Sequence, residues 1–98
     1  MNIKTTLTRK RFEEWLVEKS FRSNPIVGRH GDPRCCPIAN YLKARGGEQV
    51  VVGTDNFDCG GRKNIRLPLW AQNFVHLVDH ENRIHIRADL ALELLTTK

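Results

Sequence analysis

A chain of 98 residues, 40% apolar and 28% charged, is long enough for one modest core and too short for two, so a single domain over residues 1–98 is expected. No apolar run approaches the roughly 18 residues of a membrane span, and the polar, basic N-terminus reads as no secretory signal. The expectation is a cytoplasmic protein without a membrane partner, whose three cysteines are free thiols. The net charge of +5 is unevenly placed: residues 1–66 hold 13 Lys and Arg against 7 Asp and Glu, a net of +6, and residues 67–98 a net of −1. Ten of the 16 cations are Arg, the side chain suited to bidentate contact with phosphate or carboxylate.

In chain order, Thr8 is placed to cap a helix over about 9–20, with Phe12, Trp15 and Leu16 on one face. Its first turn holds Arg9, Lys10 and Arg11, which oppose the helix macrodipole and so hint at an anionic partner. Residues 21–34 are dense in Ser, Asn, Pro, Gly and Asp and read as a long ordered loop.

Pro37 then opens a second helix, which makes Cys36 its N-cap, and Gly46-Gly47 ends it. A thiol at a helix N-terminus faces unpaired N–H groups, which lowers its pKa and marks Cys36 as a candidate nucleophile. His30, six residues upstream, is the best-placed base for it.

Val50-Val51-Val52 centres a strand over 48–54, residues 54–62 read as turn, and a second strand covers 63–67. Gly60-Gly61-Arg62-Lys63 is a turn able to hold an anion, although it lacks the length and ending of a P-loop. Pro68 starts a helix over 69–80 with Trp70, Phe74, Leu77 and Val78 inward. A third strand over 82–87 places Ile84 and Ile86 on one side and Arg83, His85 and Arg87 on the other. The last helix covers 88–96.

The expected class is therefore α+β, in the order α-α-β-β-α-β-α, with a small sheet of about three strands and helices on one face. On one sheet, Asn64, Arg66, Arg83, His85 and Arg87 would share a polar, basic face. Together with Arg9, Lys10, Arg11, Arg62 and Lys63, that face points to a small non-enzymatic binding protein. Its partner would be a nucleic-acid backbone or an acidic protein surface. The same face lacks the stacked aromatics of sheet-based RNA readers.

Two other chemistries compete with this one. A thiol-dependent enzyme or redox protein would centre on Cys36 with His30, but no oxyanion arrangement or cysteine signature accompanies them. A zinc site would draw on Cys36, Cys59, His76 and His80, but no Cys-x-x-Cys is present, and the two histidines share the polar arc of their helix. No residue pattern asks for a cofactor. Short strands leave edges that a second copy would cover, so a homodimer is compatible with the chain.

Overall fold

The computed structural model describes residues 2–97. The seven expected elements are present in the expected order, and three short ones join them. The helices are α1 (Ile3–Thr6), α2 (Arg9–Ser20), α3 (Pro37–Ala44), α4 (Leu69–Asp79) and α5 (Ala88–Thr96). The strands are β1 (Ile26–Arg29), β2 (Val51–Val52), β3 (Asn56–Cys59), β4 (Arg62–Arg66) and β5 (His85–Arg87). Among the described residues no helix is long and apolar enough to cross a membrane.

Local chemistry sets the helix ends. The Thr8 hydroxyl accepts from the Arg11 N–H at 3.2 Å, satisfying one of the unpaired donors of α2. Pro37 occupies the first turn of α3, and the Cys36 Sγ accepts weakly from the Ala39 N–H at 3.5 Å. At the other end, Gly46 adopts φ +95°, its N–H donates to Lys43 O, and the Gly47 N–H donates to Leu42 O. This is the paired hydrogen-bond closure that a left-handed glycine allows, and a side chain at Gly46 would strain it.

The core is organised around Phe12, which is fully buried. Its ring meets Tyr41 and Phe74 edge-on at 5.4 and 5.1 Å and lies 5.7 Å from Trp70 and 6.1 Å from Trp15. Edge-to-face pairs of this kind add to the gain from burying the rings themselves. Tyr41 is equally buried, and its hydroxyl donates to the Thr6 carbonyl at 2.6 Å. That bond joins α1 to the core and leaves no orphan polar group beneath it.

The strands form two sheets instead of one. β2, β3 and β4 make an antiparallel meander, whereas β1 pairs antiparallel with β5, about 60 residues away in the chain. Segments 26–29 and 56–59, expected to be loop and turn, are drawn into strands by this pairing. β1 is also tied to the entry of α3. Arg29 N–H donates to Cys35 O at 2.8 Å, and the Asn40 side chain donates to Val27 O and Cys35 O at 2.8 and 3.1 Å. The approach is close enough that a Cβ at Gly28 would lie 2.5 Å from the Pro37 nitrogen.

Both sheets carry a bulge, and each changes which side chains face outward. In β1 the register shifts between Ile26 and Gly28, so Val27 and Gly28 are both buried. In β4, Lys63 and Asn64 together face Asp58 of β3. Asn64 takes φ +55° while its N–H donates to the Asp58 carboxylate at 3.0 Å. Strict alternation fails there, and Arg62, Lys63 and Asn64 are all exposed. The expectation that Ile84 packs beside Ile86 also fails, because β5 begins only at His85 and Ile84 is 69% exposed.

Candidate polyanion interface and the Cys36 cleft

The single basic sheet face does not form, since β4 and β5 belong to different sheets. Arg66 closes β4 opposite Asn56 on the meander, while His85 and Arg87 lie on the β1–β5 ribbon. There Arg29 of β1 pairs in register with His85, adding a cation that reading 21–34 as loop had hidden. Arg83 is exposed ahead of β5, and Arg87 is held at 3.3 Å by Asp89. Of the basic first turn of α2, Lys10 and Arg11 are solvent-facing, but Arg9 donates to Leu95 O at 3.2 Å. A cation that opposes its own helix dipole is thereby placed at the C-terminal end of α5, where the dipole favours it.

Arg62 and Lys63 have a different setting. They line a shallow groove of about 520 Å³ together with Arg34, Lys43, Gln49, Val50, Val51, Asp58 and Gly61. Lys43 stands in the last turn of α3, where the macrodipole favours a cation, and its Nζ donates to Arg34 O at 2.5 Å. The two ion pairs among the described residues are Arg22–Glu18 and Arg87–Asp89, so these four groove cations have no carboxylate partner. The one acid in the lining, Asp58, already accepts the Asn64 N–H.

Lys43 also borders a second groove, of about 610 Å³, lined by Trp15, Lys19, Arg22, Ser23, Asn24, Ile26, Val27, Asn40 and Ala44. The Lys19 ammonium lies 5.7 Å from the Trp15 ring centroid. Arg22 is partly neutralised by Glu18, whose carboxyl is held below its ordinary range chiefly by the hydrogen bond from Arg22. The two grooves meet at Lys43 and make one basic track from α2, past the end of α3, to the β3–β4 hairpin. Arg34, Lys43, Lys19 and Arg22 were not singled out from the sequence. They come from separate segments, and the one local signal was the cationic last turn of α3.

The opposite end of α3 holds the thiol. Cys36 lines a cleft of about 230 Å³ with Asp32, Val52, Thr54, Val75 and Asp79 among its neighbours. Burial is the largest influence on it and pushes the thiol up to about 11. The Ala39 and Ile38 N–H groups pull the other way, but the Asp79 and Asp32 charges add to the rise. The expected lowering is thus reversed, because loss of water outweighs the helix N-terminus.

Among the described residues no hydrogen bond joins His30 to the thiol, which accepts from the Ala39 N–H. The His30 Nδ1 lies 2.9 Å from the Val78 carbonyl, which can only accept, so that nitrogen carries the hydrogen and the ring is anchored to α4. Cys59 is buried on β3, and Cys35 is half-buried. Among the described residues no three His, Cys, Asp or Glu side chains converge as a metal site, so the set of Cys36, Cys59, His76 and His80 does not assemble.

No family model matches the chain, and neither does any curated protein or solved structure.

Proposed function

We propose that the chain is a small binding protein that grips a polyanion along the basic track, with a nucleic-acid backbone as the partner. The observation that carries this reading is the groove of Arg34, Lys43, Arg62 and Lys63, four cations without a carboxylate partner around one acid that is already engaged. Cations crowded in this way repel one another, and a polyanion relieves that repulsion while releasing its own counterions. Contacts of this type read charge and backbone path, not base sequence.

A second reading, an acidic protein surface, draws on the apolar floor that Trp15, Ile26, Val27 and Ala44 give the neighbouring groove. An acidic amphipathic segment would use both the floor and the cations, whereas a nucleic-acid backbone uses the cations alone. Gel-shift titration with random-sequence duplex and single-stranded DNA and RNA at low salt tests the first reading. Binding that a polyglutamate competitor displaces only at large excess supports nucleic acid. Absence of any shift removes it and leaves the acidic protein. A thiol-centred activity has no such support, since Cys36 is buried and its thiol is pushed up to about 11 by that burial.

A further inference from the structure

His76 and His80 lie four residues apart at the C-terminal end of α4, one in its last turn and the other at its C-cap, and both are exposed. The i, i+4 spacing brings their rings together, with centroids 4.3 Å apart and planes inclined by 49°. The His80 Nδ1 is 2.8 Å from the His76 carbonyl. A carbonyl oxygen only accepts, so the hydrogen sits on Nδ1 and the lone pair on Nε2 is directed away from the helix. A metal-ligating imidazole is held in the same way: its other nitrogen donates to a backbone carbonyl, which fixes both tautomer and ring orientation.

From these observations we propose that His76 and His80 form a two-imidazole chelate for a divalent first-row transition ion. Two nitrogens bonded to one such ion at about 2.0 to 2.1 Å lie roughly 3 Å apart in adjacent positions, within reach of rings already this close. No third His, Cys, Asp or Glu joins them among the described residues, so the closed four-ligand arrangement of structural zinc is not met. The site suits an ion that binds imidazole strongly and keeps water, or a donor from another molecule, in its remaining positions. By the ordinary order of affinities these are Ni²⁺ and Cu²⁺. Exposure of both rings removes the desolvation cost that a buried site would carry. The chelate stands apart from the basic track and does not depend on it.

Calorimetric titration of the purified chain with Ni²⁺ alone, which avoids copper oxidation of the free thiols, tests the site. One ion per chain is expected, with binding weakened at least about tenfold in either H76A or H80A and unchanged in H85A, which removes a lone exposed histidine. Far-ultraviolet circular dichroism of each variant verifies that the helix is retained. Parent-like binding in H80A, or loss of binding on alkylating the cysteines with both histidines intact, overturns the assignment.

Discussion

The two ends of α3 have opposite chemistry. Its N-terminal end is closed and leans acidic: Cys36 is buried, Asp32 and Asp79 raise its pKa, and Gly28 presses the β1 backbone against Pro37. Its C-terminal end is open and basic, with Lys43 joining two grooves and Arg45 lying 5.6 Å from the Tyr41 ring centroid. The helix dipole favours a thiolate at the first end and cations at the second. Only the second preference is realised, because Cys36 is buried at the first end whereas Lys43 is exposed at the second. A helix terminus perturbs a side chain by a modest amount, and loss of water at a buried one outweighs it.

The contrast predicts that the two ends fail in different ways. Replacing Lys43, Arg62 and Lys63 together by Ala removes three contacts to the polyanion. At about 0.1 M salt each lost phosphate contact costs close to tenfold, so affinity for nucleic acid is expected to fall about a thousandfold. Thermal stability should stay near that of the parent, since substitutions of exposed side chains of this kind cost about 0.5 kcal/mol or less each. Equal loss of binding from Arg83→Ala with Arg87→Ala would move the interface to the β1–β5 ribbon.

Gly28→Ala tests the closed end. A Cβ there would sit 2.5 Å from the Pro37 nitrogen, 2.7 Å from its Cδ and 2.8 Å from Cys35 O, and none of these is a flexible side-chain tip. A loss of about 3 kcal/mol is expected in urea unfolding, with nucleic-acid affinity of the folded fraction retained.

The pH dependence of stability at Cys36 is a smaller effect. Its folded pKa of about 11 lies above the roughly 8.5 of an unfolded cysteine, so the native state holds this proton more tightly. The contribution is complete below about pH 8.5 and is lost as pH rises toward about 11, amounting to about 3 kcal/mol. Urea unfolding between pH 8 and pH 10.5 should therefore fall more steeply in the parent than in Cys36→Ala. Parallel curves would mean that the thiol is not desolvated.

What the sequence disclosed follows the range of the interactions involved. The Thr8 cap, the Cys36-Pro37 entry and the Gly46-Gly47 closure each depend on a few contiguous residues, and all three are present as read. β1 depends on β5, and the outward turn of Lys63 and Asn64 depends on a bulge facing Asp58, so neither is written locally. The candidate site was legible only in part for the same reason. Arg62 and Lys63 stood out as a basic turn, whereas their groove partners Arg34 and Lys43 reach them through the packing of α3 against β2. Cys36 was found at its helix position, but its burial, and with it the direction of its pKa, depends on Val52, Val75 and Asp79 far along the chain.

The central claim is most directly tested by the salt dependence of nucleic-acid affinity. Six cations line the track, Lys19, Arg22, Arg34, Lys43, Arg62 and Lys63, and Arg22 is already paired. A plot of log affinity against log salt concentration should be linear with a slope of about −3 to −5, given about 0.7 to 0.9 per phosphate contact. It should become shallower by about 2 to 3 in the Lys43/Arg62/Lys63 alanine variant. No measurable binding near 20 mM salt, or a slope the variant leaves unchanged, contradicts the account.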